Sequence, residues 1–390
     1  LSQTTLIIDV TDWINTGAHT GIQRVLKEFL FKAMQDNNLV VETIYFEQSN
    51  KNFFLLSSQD IKKAMRQTYS LQQKFCFAKT PYTFDNTKAI LLEIDRVWNE
   101  SSPRNYLYKE LADKGICIIN LVYDLIPVLR PNYFYEQTKK NFPSYMESIL
   151  SYSHGVIFNS FNTQKDFYRL YHNHRRFDKI EQFIVSLGAD ITIKNTKNEK
   201  LQYGDILNKQ YILFVGTLEP RKKHLFVLKA FEKIHCLFPD LHLVFIGKVG
   251  WGVEETIEFM KNHPLKNKKI FHFPSVTDKG LIHFYQKAFI VCYLSDYEGY
   301  GLPVVESLYY GNVTFVSKNS SLLELAPKLV EFIENEEEFI DKISRYLTFP
   351  NFYKDKKKSL IKKSQKKSWN NFYLQIVKIL SSCRKNKYLI

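Results

Sequence analysis

Short apolar runs rich in β-branched residues recur along the whole chain. In the first half they are TLIIDV (5–10), VVETIYF (40–46), AILLEID (89–95), ICIINLVYD (116–124), GVIFNS (155–160) and FIVSLG (183–188). In the second half they are YILFVG (211–216), LHLVFIG (241–247), KIFHF (269–273), FIVCYL (289–294), VTFVS (313–317) and KLVEFI (328–333). Most lack polar alternation, which predicts strands covered on both faces. Between them lie segments with apolar residues at helical spacing, such as GIQRVLKEFLFKAM (21–34) and LFVLKAFEKIHCLF (225–238). Strands that alternate with helices predict parallel sheets with helices on both sides. The pattern restarts near 210, after TKNEKLQYGDILNKQ (196–210), a polar stretch that reads as a linker. Two doubly wound α/β domains with a cleft between them are therefore expected, with ligands beyond the carboxyl ends of the strands. Near the C-terminus, Trp369, Phe372, Tyr373, Ile376, Val377 and Leu380 fall on one face of an amphipathic helix, with Ser368 as its N-cap. That stripe is expected to dock on protein.

Composition sharpens this picture. The chain has 390 residues, which suits two domains better than one core. It is 45% hydrophobic and 15% aromatic, so wholesale disorder is excluded. No apolar run reaches the ~20 residues of a membrane span, and no signal peptide is visible in LSQTTLIIDVTDW. The cysteines Cys76, Cys117, Cys236, Cys292 and Cys383 form no C-x-x-C pair and read as buried free thiols of a reducing compartment. The net charge of +14 is concentrated: Lys354 to Lys387 holds twelve Lys or Arg and one acid, Asp355. Such a block fits either an anionic surface or a solvated helix face.

Three strand–turn–helix stretches carry candidate chemistry. In SDYEGYGLPVVES (295–307), Glu298 is expected in the loop after a strand and Glu306 about one turn into a helix that Pro303 opens. Gly299 and Gly301 allow close backbone approach to a ligand. Carboxylates that face hydroxyls, beside helix amides that face an anion, suit a sugar joined to a phosphate. Alone, the same spacing also fits a capped helix with two solvated acids. In YILFVGTLEPRKKHLFVLKAFEKI (211–234), Arg221, Lys222 and Lys223 stand where a helix begins, an arrangement able to clamp phosphate. In TGAHTGIQRVLKEF (16–29), Gly17 and Gly21 lie in a turn after the first strand, and Gly21 starts a helix. No P-loop, G-x-G-x-x-G fingerprint or D-x-D occurs.

Together these stretches resemble the retaining glycosyltransferases of family 4, over nearly the whole chain. The resemblance implies the GT-B fold: two Rossmann-like domains facing each other across a cleft, and a last helix that crosses back to the first. The corresponding boundaries are an acceptor-binding domain at 1–200, a nucleotide-sugar domain at 201–365 and a basic returning helix at 366–390. Glu298 and Glu306 match the family's glutamate pair, whose first member contacts the donor sugar and whose second holds the ribose. Lys222 matches the diphosphate lysine. Thr217 stands where the family often has arginine, which leaves Arg221 to take that role. IGKVGW (246–251), FPSVTDKGLIHFYQKA (273–288) and NSSLLELAP (319–327) follow in the family's order. Donor contacts are thereby implied at Gly21, Gly216, Thr217, Gly247, Lys248, Val276, Tyr300, Gly301, Leu302 and Glu306. TGIQRV (20–25) and VYDLIP (122–127) resemble a bacterial subgroup that builds O-antigens and other surface polysaccharides, with many mannosyltransferases that use GDP-mannose. Tyr123 stands where many relatives have histidine. Asp124 is left as either a catalytic group or a turn cap.

The implied chemistry is transfer of a hexose, mannose favoured, without a metal ion or cofactor. Lys222, Arg221 and the helix starts near Gly21 and Gly301 would meet the charge that develops on the diphosphate. Glu298 would orient the sugar, and the anomeric configuration would be retained. A glycan or lipid-linked glycan is the expected acceptor. The Lys-rich tail would hold the protein peripherally on the cytoplasmic membrane's inner face, and no nucleic-acid partner is expected. Rival readings are a GT-B epimerase or phosphorylase, a glycosidase with paired carboxylates, and a non-catalytic binder that uses the basic tail.

Overall fold

In the computed structural model, residues 4–17, 20–66, 80–98, 104–191, 203–363 and 367–386 are described. They form two compact units, Leu1–Gly188 with Ser368–Ile390, and Ala189–Lys367. These limits replace the expected 200 and 365. The second junction lies just before Trp369, which is 1% exposed and opens the last helix, Trp369–Asn386, as part of the first unit. Of the expected linker, 196–202 falls outside the described residues. The remainder holds a 3-10 turn, Gly204–Asn208, whose Ile206 is buried in the second unit's core.

The first unit is built on an eight-stranded sheet. Its strands are β1 (Thr4–Asp9), β2 (Leu39–Glu47), β3 (Asn52–Leu56), β4 (Thr80–Pro81), β5 (Ile90–Glu93), β6 (Cys117–Val122), β7 (Gly155–Phe158) and β8 (Glu181–Ile184). The order is β4-β3-β2-β1-β5-β6-β7-β8. All neighbours are parallel except β2–β3 and β3–β4. The expectation of a purely parallel sheet missed this antiparallel edge, because NFFLL is a short apolar run set off from β2 by only a tight polar turn. The sheet is sealed by helices. Met146, Ile149 and Leu150 of the helix Glu136–Tyr152 join Ile7, Leu91, Ile118 and Val156 from the strands in one buried cluster. The last helix lies on the helix Gly21–Ala33, with Phe372 and Tyr373 against Phe29 and the Tyr373 hydroxyl donating to Asp36 at 2.6 Å. Trp369, Phe372 and Ile376 are fully or almost fully buried there. The apolar stripe is thus spent on protein.

The second unit has six parallel strands: β9 (Tyr211–Val215), β10 (His242–Ile246), β11 (Ile270–Phe273), β12 (Ile290–Tyr293), β13 (Val313–Ser317) and β14 (Glu331–Ile333). Their order is β11-β10-β9-β12-β13-β14. The chain leaves β9 toward one edge and resumes at β12 toward the other. The switch point therefore lies between β9 and β12, where doubly wound sheets open a crevice beyond their carboxyl ends. In the first unit the same reversal lies between β1 and β5.

Among the described residues, no helix is long and apolar enough to cross a membrane. Cys117, Cys292 and Cys383 are buried free thiols, but Cys236 is exposed, at the outer face of the helix His224–Leu237. Cys76 lies outside the described residues.

Candidate active site

The segment after β9 is a turn, Gly216–Lys223, stitched to both neighbouring strands. On one side Leu218 N–H donates to Lys248 O at 3.0 Å, and Gly250 N–H donates to Leu218 O at 2.8 Å. On the other, Lys223 N–H donates to Leu294 O at 3.1 Å, and Asp296 N–H donates to Arg221 O at 2.9 Å. A turn pinned on both flanks has one backbone path. Gly247 is required for it: a Cβ there would stand 2.1 Å from Gly216 O. Thr217 is half-buried in this turn, Lys248 is exposed on the β10 loop, and Val276 packs at the edge of the core cluster.

The segment after β12 is braced by the β13 loop. Ser295 N–H donates to Ser317 Oγ at 3.0 Å, and Asn319 Nδ2 donates to Ser295 O at 2.8 Å. Glu298 N–H donates to Ser320 Oγ at 2.9 Å, and Ser321 Oγ lies 2.9 Å from the carbonyl oxygens of both Glu298 and Tyr300. Ser320 holds this geometry from a left-handed backbone conformation, φ 43°. A side-chain-bearing residue rarely adopts it unless its surroundings impose it. Gly301, at φ 111°, caps the helix Leu302–Tyr309. Pro303 carries no N–H, and Val304 N–H turns back to Gly301 O, so Leu302 supplies the amide at this helix start.

The two loops bring three charges together at the switch point. Lys222 Nζ and Arg221 Nη1 both reach Glu298 Oε1, the second at 2.5 Å. Arg221 also pairs with Glu219 at 2.8 Å and donates to Tyr297 O at 2.8 Å. The side chains of Lys222 and Glu298 are 4% and 6% exposed. Burial would raise the Glu298 carboxyl, yet Arg221 and Lys222 hold it down at about 2. Burial and the neighbouring Arg221 lower the Lys222 ammonium, and Glu298 opposes them. Behind Lys222, the His224 ring lies 4.2 Å from the Phe214 ring and finds no hydrogen-bond partner. Burial, then Lys222, pushes it down to about 3, so it is neutral. Glu306 is the fifth residue of its helix, 3% exposed, and accepts from the Tyr285 hydroxyl at 2.8 Å. Tyr300 is buried and its hydroxyl accepts from Lys367 at 3.1 Å.

One sequence expectation is revised. The three basic residues do not act as one clamp at a helix start. The helix begins at His224, Lys223 is its N-cap, and Lys223 pairs outward with Asp296 at 3.1 Å. Only Arg221 and Lys222 converge, and they converge on Glu298. Glu219, Tyr293, Ser320 and Ser321 were not singled out. Glu219 lies in YILFVGTLEPRKK and the serines in NSSLLELAP, and Tyr293 sits in the apolar run FIVCYL, where it carries no sign of a polar partner.

In the first unit, Gly21 is exposed at the first turn of the helix Gly21–Ala33. It does not follow β1 directly, since a short helix, Thr11–Thr16, intervenes. Thr20 and Gln23 form a capping box. Gln23 Nε2 also donates to Asp12 at 2.9 Å and Asp95 at 3.1 Å. Asp12 receives Arg96 through two nitrogens, at 3.1 and 2.8 Å, and Asp95 accepts Trp13 N–H at 2.8 Å. Arg104 meets Asp9 at 2.6 Å and Glu93 at 3.5 Å. The ends of β1 and β5 thus carry four buried carboxylates around two arginines. Burial raises Glu93 to about 7, with Arg104 opposing and Asp9 adding. Burial, then Asp12, raises Asp95 to about 7. Asp124 accepts Ile126 N–H at 3.0 Å and caps the turn Ile126–Leu129. The Tyr123 hydroxyl donates to Ile94 O at 2.7 Å. Among the described residues no cluster has the makings of a metal site.

Residues 195–367, almost the whole second unit, match the model of the family described as glycosyl transferases group 1. The match spans the second unit and just under half of the chain. Among curated proteins, the chain is similar to the serotype-specific mannosyltransferase WbdA of Escherichia coli, 23% identical over 320 residues, 77% of this chain and 37% of the relative. It is also similar to the O-antigen chain mannosyltransferase B of Escherichia coli, 29% identical over 119 residues, 30% of each chain. The chain thus spans well under half the length of the curated relatives it matches. Among solved structures, HepE of Anabaena in complex with UDP-glucose has a TM-score of 0.67 at 14% identity, covering 97% of this chain and 100% of that one. The GT-B fold expected from the sequence is the fold found.

The raised carboxylates have a signed consequence. Between about pH 4 and 7, folded Glu93 and Asp95 hold protons that the unfolded chain has released. The native state then binds more protons, so stability falls as pH rises through that window and levels off above it. Urea unfolding at pH 5, 6, 7 and 8 should show this decline for the first unit. Asp95→Asn should flatten it, and an Asp95→Asn profile as steep as the unaltered one would contradict the assignment.

Proposed function

We propose that the chain transfers a hexose from a nucleotide diphosphate sugar to a hydroxyl of a glycan or lipid-linked glycan, with retention, and that GDP-mannose is the favoured donor. The observation that carries this reading is the buried Arg221–Lys222–Glu298 cluster at the second unit's switch point, with Glu306 on the helix that follows. It offers cations for a diphosphate and carboxylates for hydroxyls within one loop pair. The similarity to two mannosyltransferases supports mannose as the sugar and surface polysaccharide synthesis as the setting.

On this reading the donor exchanges partners within the cluster. The diphosphate takes Lys222 and Arg221 from Glu298, and Glu298 turns to the sugar hydroxyls. Charge grows on the leaving phosphate as the glycosidic bond breaks, and the two cations and the Leu302 amide meet it. The acceptor hydroxyl attacks on the face that the phosphate leaves. Its proton passes to a phosphate oxygen, so neither a protein nucleophile nor a metal ion is needed. Glu306, oriented by Tyr285, is the group suited to the ribose, and Gly247 and Val276 flank the place for the base. Asp124, engaged as a turn cap, takes no role in proton transfer here.

The basic tail extends the proposal to location. Lys356 pairs with Glu331 at 2.7 Å and Lys357 lies over the Tyr353 ring, so neither is spare. Lys354, Lys358 and Lys362 form an exposed i, i+4, i+8 stripe on the helix Pro350–Lys363. An anionic cytoplasmic leaflet is the proposed partner, at about 1 kcal/mol per lysine near the surface.

Two measurements test these readings. Incubation with GDP-mannose and a glycan acceptor should give a product whose anomeric configuration, read by NMR, equals the donor's. Lys222→Ala should lower kcat/KM by about 100- to 1000-fold. An inverted product rejects the mechanism, and an epimerised sugar nucleotide formed without acceptor points to the epimerase instead. Sedimentation with anionic vesicles should fall when Lys354, Lys358 and Lys362 become Glu and when salt is raised. Binding that survives both changes would exclude the stripe.

A further inference from the structure

Lys222 is held by two side chains of different freedom. Glu298 is on a loop. Tyr293 is the last residue of β12, 4% exposed, paired in register with Val316 of β13. The Tyr293 hydroxyl accepts a hydrogen bond from Lys222 Nζ, and the ammonium lies 4.1 Å from the ring centroid. The ring also lines the turn itself: a Cβ at Gly216 would stand 3.7 Å from it and 4.0 Å from Lys222 Cε. The ring therefore limits where the lysine stem can run, and the hydroxyl fixes where it ends. A buried ammonium that loses its carboxylate needs another partner, because an uncompensated buried charge is strongly destabilising. When Glu298 turns to a sugar, Tyr293 is the partner that stays, because the sheet carries it.

We propose that Tyr293 is a positioning residue of the donor site: its hydroxyl and ring keep the Lys222 ammonium in place for a diphosphate once Glu298 is engaged elsewhere. The inference rests on the reading that Lys222 meets the diphosphate. It assigns Tyr293 a task that a core aromatic residue of equal volume would not perform. Tyr293→Phe keeps the ring and removes only the hydroxyl. Tyr293→Leu removes both.

Calorimetric titration of the full chain with GDP and with UDP tests it, alongside Lys222→Ala, Tyr293→Phe and Tyr293→Leu. Lys222→Ala should weaken nucleoside diphosphate binding by about 100-fold. Tyr293→Phe should weaken it by about tenfold, the scale of one hydrogen bond to a charged group, and Tyr293→Leu by more. Melting of Tyr293→Phe should still show a cooperative transition well above the assay temperature. A pH series adds a readout that packing alone would not move. The groups facing Lys222 are Glu219 and Arg221 on its own turn, Glu298 from the loop after β12, Tyr293 on that strand and neutral His224 at the helix start. Without the Tyr293 hydroxyl the ammonium loses its proton more readily, so Tyr293→Phe should lose GDP affinity at lower pH than the unaltered chain. If neither nucleotide binds the unaltered chain, or if Lys222→Ala binds as tightly, the underlying reading is overturned. If Lys222→Ala weakens binding while both Tyr293 variants match the unaltered chain, the Tyr293 inference alone falls. It falls equally if Tyr293→Phe weakens binding with no shift in the pH series.

Discussion

Two cations and one carboxylate sealed at the mouth of a parallel sheet are the constraint from which the rest follows. Desolvating Lys222, Arg221 and Glu298 is costly, and their mutual attraction offsets that cost only in good geometry. Every local feature serves that geometry. The turn Gly216–Lys223 is bonded to strands on both sides, and the Glu298 loop is bonded to four side chains of the β13 loop. Gly247 and Gly301 stand where a side chain would collide or a left-handed conformation is needed. Such a cluster carries more positive than negative charge among its three members, and Glu219 alone balances the remainder. On the proposed reading, a diphosphate would replace Glu298 without leaving a buried cation unpaired.

The first unit solves the same topological problem with opposite charge. Its switch point carries Asp9, Asp12, Glu93 and Asp95 around Arg96 and Arg104, an excess of carboxylates that burial resolves by raising Glu93 and Asp95 toward neutrality. Gln23 ties that network to the helix that begins at Gly21, through Asp12 and Asp95 on one side and Thr20 on the other. The acidic network thereby fixes a helix start, whereas the basic cluster of the second unit is the part that the proposed function would have exchange partners.

Much of this was legible in the sequence. Apolar runs mark twelve strands, most of them without alternation, because a strand buried on both faces needs no polar positions. β3 and the edge strand β4 escaped: β3 is an apolar run set off from β2 by only four residues, and β4 is two residues long. SDYEGYGLPVVES and VGTLEPRKK identified Glu298, Glu306, Arg221 and Lys222, because Gly and Pro punctuation places loops at strand ends. That Arg221 and Lys222 would face Glu298 rather than open solvent was not legible, since spacing along one loop says nothing about its partner across the sheet. Tyr293 was hidden for a related reason: in FIVCYL it reads as core, and only the register of β12 beside the turn after β9 turns its hydroxyl into a lysine partner. The acids of TLIID and AILLEID likewise end apolar strand runs. Their convergence depends on β1 and β5 being neighbours, which the chain order does not state.

The measurement that tests the central claim most directly is a crystal structure of the chain with a bound nucleoside diphosphate. The account predicts diphosphate oxygens within hydrogen-bond distance of Lys222 Nζ and the Arg221 guanidinium, with the Lys222–Glu298 pair opened and Tyr293 still against the ammonium. A diphosphate seated elsewhere, with Lys222 and Arg221 still locked on Glu298, would contradict it.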